Sequence, residues 1–196
     1  LPSRDYPTDE IRRHLTRDFG EADFFTGGYS VRSTIAPVFQ EVAAQSLRLG
    51  LEDYDRKQGV YRVGQQAIPK DQLGSWRDAL RDIAIPRDIS INQKWRPAVV
   101  LELIKNNGRL GIEGLDGEDH WLPAKDVEWI KKQLKDGVTS QNIAKRIKDI
   151  LSVGDVILVA PILDETDGSF LYWSLRQIPK IQGGFVAMDV DTGRVM

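Results

Sequence analysis

The chain has 196 residues, of which 41% are hydrophobic and 29% charged, with 27 basic against 29 acidic residues and no cysteine. This composition supports a globular protein of one medium domain or a small domain with flanking scaffold, and it gives no basic field for nucleic acid or an anionic membrane. Disulfides and thiolate metal sites are excluded, and no apolar run approaches the roughly 18 residues that span a bilayer.

The first part of the chain predicts three helices and one strand. Residues 9–19 carry apolar side chains four apart, which predicts a short amphipathic helix that Gly20 ends. The alternating, β-branched run at 29–35 predicts a half-buried strand. A long helix runs from Pro37 to Gly59, and another is predicted from about 70 to 83. The apolar residues that predict the buried face of the long helix are Phe39, Val42, Ala43, Leu47, Leu51 and Tyr54.

From Trp95 the pattern changes to short strands separated by turns, with Asn107-Gly108 as a tight-hairpin signal. Between the third and fourth strands we predict a short helix at Trp129 and a longer amphipathic segment across 143–151. Three strands, a helix and a returning hairpin are the order of an OB-type barrel. The fold class predicted is therefore α+β, mostly β with helices, with an OB-like five-stranded small barrel at 92–177. The five strands predicted are residues 98–104, 109–114, 120–123, 155–161 and 170–175.

The polar residues that could form a catalytic or metal site are scattered. His14 and His120 lie far apart, and neither has a partner at metal-ligand spacing, so His120 is expected to be an edge histidine rather than a general base. Two acidic groups surround glycines, and solvated hairpin turns explain them better than paired carboxylates or a calcium loop. The acidic groups are Asp116, Glu118 and Asp119 at the first turn, and Asp164, Glu165 and Asp167 at the last.

One locally basic region and five tryptophans are the candidate binding surfaces. The basic residues lie on predicted helices with acidic residues interspersed, which favours a solvated face over a phosphate-tracking surface. The tryptophans are expected to pack in the core or between domains rather than to line a ligand cleft. The basic residues are Lys131, Lys132, Lys135, Lys145, Arg146 and Lys148, with Glu128, Asp136 and Asp149 among them. The tryptophans are Trp76, Trp95, Trp121, Trp129 and Trp173.

No motif assigns chemistry to this sequence. It has no Ser-x-x-Lys, no phosphate-binding glycine loop and no Gly-x-Ser-x-Gly nucleophile elbow. We therefore predict no catalytic residue, no cofactor-binding residue and no metal ligand in this chain.

Two blocks of sequence resemble the region between the catalytic domains of class A penicillin-binding proteins of the 1A branch. The first comprises 29–35 and 50–62, and is similar to a family run in which a Val-x-Thr-Thr-Leu-Asp strand precedes a helix ending in Tyr-Asp-Arg and a Gly-Tyr-Arg. Ser33 replaces the first threonine of that run and Ala36 replaces its aspartate. The second block comprises 175–189 with 192–195, and looks like the opening strands of the transpeptidase domain. Between the blocks, Leu122, Pro123, Trp129 and 149–156 are similar to the family's inserted OB-like domain.

The resemblance implies a parent protein that polymerises lipid II into glycan strands and cross-links their peptides by D,D-transpeptidation. Such a parent is a penicillin target, single-pass anchored in the inner membrane of a Gram-negative bacterium and acting in the periplasm. The chain is then expected to be an excised piece. The family's glycosyltransferase glutamates would precede Leu1 and its Ser-x-x-Lys nucleophile would follow Met196, so neither motif is carried onto this sequence.

The domain organisation follows from the blocks. The segments are 1–61 as linker and scaffold, 62–91 as a connecting segment with a helix, 92–177 as the OB-like domain and 178–196 as the opening strands of a truncated transpeptidase domain. Residues 29–35 are expected to belong to the same scaffold as the last segment. That arrangement would place the two ends of the OB-like insert close together.

The function implied is that of a docking and coupling module that contacts a partner protein or one of its own catalytic domains. Enterobacterial members of the family use this region for an outer-membrane lipoprotein activator. Two alternatives stay open: a barrel face that binds glycan or stem peptide, and a passive spacer between the active sites. No nucleic-acid partner and no cofactor are expected.

Overall fold

A computed structural model describes residues 6–62, 66–83, 94–117, 119–133, 139–143 and 146–196. The chain divides into two compact units, one formed by Leu1–Val42 with Val186–Met196 and the other by Ala43–Phe185. None of the helices in the described ranges is both long and apolar enough to cross a membrane.

The first unit contains two short helices, α1 (Tyr6–Phe19) and α2 (Glu21–Thr26). The helix predicted at 9–19 is confirmed, although it begins at Tyr6 rather than at residue 9. Gly20 separates the helices at φ 85°, a left-handed conformation that glycine adopts without a steric penalty. The predicted stop signal is therefore also confirmed.

The strand predicted at 29–35 is wrong, because this segment forms no ladder with any described residue. A strand needs a neighbour that pairs its backbone groups, and alternation alone supplies none. The Thr34 hydroxyl donates to the Val195 carbonyl at 2.6 Å. The strand pairing predicted near the end of the chain is present only as one antiparallel bridge, between Met188 and Val195.

The long helix α3 (Pro37–Lys57) begins and ends where the sequence predicts, and Gly59 follows it at φ 75°. Its predicted apolar face is buried only in part: Ala43, Leu47 and Leu51 are half-buried, whereas Phe39, Val42 and Tyr54 are exposed. The most buried residues of the helix are instead two carboxylates, Glu52 and Asp55, at 8% and 5% exposure. Polar contacts therefore add to the apolar packing of this helix.

The second unit is dominated by short antiparallel strands. In chain order they are β1 (Arg96–Ile104), β2 (Asn107–Ile112), β3 (His120–Leu122), β4 (Lys131–Gln133), β5 (Thr139–Ile143), β6 (Val156–Leu163) and β7 (Phe170–Arg176).

Five of these strands form one sheet in the order β3-β2-β1-β6-β7, with every pair of neighbours antiparallel. Strands β3 and β7 approach each other across the open side, where the Trp173 Nε1 donates to the His120 Nδ1 at 3.3 Å. The sheet is therefore a nearly closed five-stranded barrel, and the predicted OB-like fold class is confirmed. Strands β4 and β5 form a separate two-stranded sheet.

The helices predicted between the third and fourth barrel strands are wrong. The described residues there form β4, β5 and two short 3₁₀ turns, Ala124–Val127 and Ile147–Asp149. Apolar residues three or four apart fit a 3₁₀ turn as well as an α-helix. Ile147 and Leu151 are nonetheless fully buried, so their predicted role in the core holds.

Strand β1 is buried on both of its faces. Ala98 and Val100 face the barrel interior, whereas Val99 packs outside the barrel against α4 (Trp76–Arg81). Burial on two faces explains why β1 reads as a continuous apolar run rather than an alternating one. The helix predicted at 70–83 is confirmed as α4, preceded by a 3₁₀ turn at Lys70–Ser75.

The hairpin between β1 and β2 turns at Lys105 and Asn106, two residues before the predicted Asn107-Gly108. The register pairs Ile104 with Asn107, so Gly108 lies inside β2. A Cβ at Gly108 would lie 3.3 Å from the Ile147 Cδ1. This glycine therefore lies in a closely packed position of the strand rather than in the turn.

Gly154, which precedes β6, combines two constraints. Its φ is 98°, and a Cβ there would lie 2.4 Å from the Ile68 carbonyl oxygen. We expect Gly154→Ala to lower the free energy of unfolding by about 2–4 kcal/mol, because backbone strain and a steric clash add. Urea denaturation followed by tryptophan fluorescence measures the free energy of unfolding of the variant and of the wild type.

Gly117→Ala is the matched control, because Gly117 has a similar φ of 84° with open space around its Cβ position. It should cost only about 1–2 kcal/mol, the penalty of the left-handed backbone alone. Equal losses in the two variants would contradict the role of the Ile68 contact.

Candidate functional site

The two histidines lie in different units of the structure. His14 is on α1, and its Nε2 lies 2.9 Å from the exposed carboxylate of Glu10. His120 starts β3, contacts Trp173, and has its Nε2 3.3 Å from the Asp116 carbonyl oxygen. Among the described residues, no group of three or more His, Asp or Glu side chains is placed to hold a metal ion.

The acidic groups around glycines occupy turns, as predicted, although Glu118 lies outside the described residues. In the β6–β7 turn, the Asp164 carboxylate accepts from the Thr166 amide at 2.8 Å, and the Asp167 carboxylate accepts from the Ser169 amide at 2.8 Å. Hydrogen bonds from Thr166 lower the pKa of Asp164, and those from Ser169 lower the pKa of Asp167. These carboxylates therefore stabilise the turn as anions.

The predicted basic face is not a helix face. Lys131 lies in β4, and Arg146 pairs with Asp149 at 3.1 Å beside a 3₁₀ turn. Lys135, Asp136, Lys145 and the side chain of Lys132 lie outside the described residues.

Three of the five tryptophans pack in the core, which confirms the prediction for them. Trp76, Trp95 and Trp173 have exposed fractions of 2%, 4% and 5%. Trp121 on β3 is partly exposed, and Trp129 is half-buried with the Arg56 guanidinium 5.1 Å from its ring centroid. That last contact belongs to a polar network described next.

The structure brings together a buried network that we call the polar seam, which joins α3 to both ends of the barrel region. Its members come from α3, from the segment after it, from the turn after β3 and from the end of β7. The polar seam comprises Glu52, Asp55, Arg56, Arg62, Asp126, Ser174, Arg176 and Gln177.

One part of the polar seam is centred on Asp55. The Arg62 Nη2 donates to the Asp55 Oδ2 at 2.6 Å, and the Gln177 Nε2 donates to the same oxygen at 2.7 Å. The Arg62 amide donates to the Gln177 Oε1 at 3.0 Å, and the Arg62 Nη2 also donates to the Ile178 carbonyl at 3.0 Å. The segments that lead into and out of the barrel therefore lie side by side, as the sequence predicts.

A second part holds the end of β7 against α3. Arg176 donates to Glu52 through a charged hydrogen bond. The Arg56 Nη2 donates to the Leu175 carbonyl at 3.1 Å. Both contacts run from consecutive residues of β7 to the same helix, so they fix the end of the strand along the helix axis.

The third part is Asp126, in the 3₁₀ turn after β3. Its Oδ1 accepts from the Ser174 hydroxyl and its Oδ2 from the Leu175 amide, both at 2.6 Å, and Arg56 lies 3.8 Å away. Burial raises the pKa of Asp126 despite these contacts, and burial also lowers the pKa of Arg56. Asp126 and Arg56 therefore lie close together, although removing both charged groups from water costs free energy.

Sequence reasoning missed the polar seam. The sequence pattern assigns no buried role to Glu52, Asp55 or Arg56, because charged side chains normally face water. A signal was present: Glu52 and Asp55 are three apart and share one helix face, and Arg176-Gln177 supplies complementary groups. Its carboxylates are occupied by internal hydrogen bonds, so the arrangement fastens segments together rather than performing chemistry.

Comparisons with known proteins match almost the whole chain. Residues 61–181 match the family described as "Penicillin-binding protein OB-like domain". The chain is 31% identical over 193 residues to "Penicillin-binding protein 1A" of Rickettsia bellii, covering 98% of this chain and 21% of that protein. It is 27% identical over 191 residues to "Penicillin-binding protein 1A" of Haemophilus influenzae, covering 97% of this chain and 19% of that protein.

A solved structure is similar as well. The crystal structure of penicillin-binding protein 1A from Haemophilus influenzae aligns with a TM-score of 0.56 at 23% identity, covering 89% of this chain and 22% of that chain. This likeness shows the fold. The chain spans about a fifth of the length of the curated relatives it matches. The matched range of 61–181 contains both the predicted connecting segment and the predicted barrel domain.

A substitution at Asp55 tests whether the polar seam stabilises the fold. Asp55→Ala would leave the partly buried Arg62 and the amide of Gln177 without their acceptor, and we expect a loss of about 2–4 kcal/mol in the free energy of unfolding. Urea denaturation of the purified chain measures the loss.

Asp53→Ala is the matched control on the same helix. Asp53 forms an exposed pair with Lys57 at 2.6 Å, so its loss should cost about 0.5 kcal/mol or less. If Asp55→Ala were as mild as Asp53→Ala, the polar seam would not contribute to stability.

Because its pKa is raised, Asp126 makes the free energy of unfolding depend on pH. Because the folded state holds this proton more tightly than the unfolded state, the contribution of Asp126 to stability is fully present below its ordinary pKa of 3.8. That contribution is lost as the pH rises through the raised value. The difference in free energy of unfolding between the wild type and Asp126→Asn should therefore fall with rising pH across this window.

Urea denaturation at a series of pH values measures that difference, and a carboxyl ¹³C NMR titration gives the pKa of Asp126 directly. A titration midpoint at or below 3.8 would show that the hydrogen bonds, rather than burial, control this carboxyl.

Proposed function

Because the chain belongs to the penicillin-binding protein OB-like domain family, we propose that it is the non-catalytic docking and coupling segment of a class A peptidoglycan synthase. The matches to penicillin-binding proteins 1A confirm the resemblance seen in the sequence. The parent in this proposal polymerises lipid II and cross-links peptides by D,D-transpeptidation. It acts on the periplasmic side of the inner membrane, to which it is anchored by a single span.

The observation that carries the proposal is the polar seam. Its hydrogen bonds fasten the segments before and after the barrel to each other and to α3, a helix of 21 residues. A barrel attached in this way moves together with the helix, so a displacement of one is transmitted to the other. A passive spacer would need no buried ionic network at its point of attachment.

The barrel interior argues against the binding of glycan or peptide inside it. Fully buried apolar side chains from all five barrel strands, including Leu122 of β3, fill that space, so a ligand would have to lie on the outside. These side chains include Ala98, Val100, Leu110, Ile112, Ile157, Val159 and Leu175.

The test uses the full-length, membrane-inserted protein with Asp55→Ala, and Asp53→Ala as the matched control. We expect glycan polymerisation to persist while the amount of cross-linking per unit of polymer falls by roughly fivefold or more, a typical size for coupling between sites. Radiolabelled lipid II, digestion of the product and chromatography of the muropeptides give both quantities.

Labelling with a fluorescent penicillin shows that the transpeptidase site of each variant is intact. Equal cross-linking per unit of polymer in the two variants would favour the passive spacer. Covalent penicillin labelling of the isolated 196-residue chain would contradict its non-catalytic role.

A further inference from the structure

The hairpin of β6 and β7 extends beyond the rest of the barrel at one end. Strand β7 has seven residues and β3 has three, and the first residue of β3, His120, meets the fourth residue of β7, Trp173. Both strands run parallel to β1, because each is two antiparallel pairings away from it. Residues 170–172 and the turn before them therefore project past the start of β3.

The projecting part exposes large apolar side chains. Leu163 and Phe170 face each other in the ladder and are 45% and 50% exposed, and Leu171 is 51% exposed. Leu171 is the extra residue of a bulge, so no residue of β6 lies opposite it. Farther along the same strand Leu175 is fully buried, which confines the exposed apolar surface to the tip.

Acidic residues surround this apolar surface. The turn from 164 to 169 contains three carboxylates and no basic residue. The β2–β3 turn lies at the same end of the barrel and adds the exposed Asp116 and Asp119. Two basic side chains lie near this surface as well: the Arg96 guanidinium donates to the Glu113 carbonyl at 3.0 Å, and the Lys125 Nζ lies 4.4 Å from the centroid of the Tyr172 ring. We call this surface the acidic tip: Leu163, Asp164, Glu165, Asp167, Phe170 and Leu171, with Asp116 and Asp119.

We propose that the acidic tip docks a segment of a partner protein that has apolar side chains at its centre and Lys or Arg at its edges. An exposed apolar patch rimmed by like charges is complementary to a patch rimmed by the opposite charge. The same charges repel anionic membranes and nucleic acid. This inference rests on the proposed docking function and names the face and the chemistry of the partner.

The experiment is site-specific photo-crosslinking in the native full-length protein in its own cells. A photoreactive amino acid replaces Leu171 at the acidic tip. In the control it replaces Leu49, a 66% exposed leucine on α3. We expect position 171 to cross-link to another protein, and mass spectrometry to map the cross-linked peptide to a Lys- or Arg-rich segment that position 49 does not reach.

A charge reversal shows that the contact is specific. Glu165→Lys should lower the yield at position 171 by about fivefold, because it places a cation against a basic segment. Asp78→Lys is the matched control, since Asp78 is an exposed residue on α4 that pairs with Arg81 at 3.3 Å. That variant should leave the yield unchanged.

Four outcomes would overturn the proposal: no cross-link at position 171, a cross-link within the same polypeptide, a cross-link to a second copy, or a yield that Glu165→Lys leaves unchanged. None of these depends on the coupling between polymerisation and cross-linking. If that coupling depends on Asp55 while position 171 forms no cross-link, the proposed docking function stands, but the acidic tip is not the surface that docks the partner.

Discussion

The carboxylate of Asp55 is the constraint on which the arrangement of the second unit depends. It accepts from Arg62, in the segment that follows α3, and from Gln177, directly after the last barrel strand, while itself belonging to α3. A buried carboxylate is costly unless its partners are present in good geometry, so this contact tolerates little displacement. Two more buried carboxylates, Glu52 and Asp126, accept hydrogen bonds from the end of β7 and need their partners in the same way. The barrel is thereby held to the helix by polar contacts that are directional.

The elements that the sequence predicts well are those set by local signals. The five barrel strands and both ends of α3 follow from apolar periodicity and from glycine or proline at the boundaries. The polar seam could not be found in this way, because Asp55 and Gln177 are 122 residues apart. Hydropathy assigns a charged side chain to water, and only the tertiary fold supplies the partners that make its burial favourable. The sequence therefore predicts the half-buried Ala43, Leu47 and Leu51 of α3 but not its buried Glu52 and Asp55.

Two other predictions, the turn at Asn107-Gly108 and the strand at 29–35, fail because the deciding contacts are not local in sequence. Asn107-Gly108 is a strong turn signal, yet Gly108 lies inside β2, where Ile147 packs closely against it, and Asn107 accepts a hydrogen bond from the Ala124 amide. The run at 29–35 alternates like a strand without a neighbour to form one. In each case the residue types were read correctly, but their partners lie at distances along the chain that a local pattern does not include.

Strand β7 connects the acidic tip with the polar seam. It begins in the acidic tip and ends in the polar seam, and seven residues at roughly 3.3 Å each span about 23 Å. Between these ends, Trp173 and Leu175 are buried in the barrel, and β6 pairs with the strand along its length. A strand paired and packed in this way resists bending, so a partner bound at one end of the barrel would move the other end with it. That other end is hydrogen-bonded to α3 through Arg176 and Glu52. The barrel would therefore transmit a displacement from the docking surface to the helix as a rigid body.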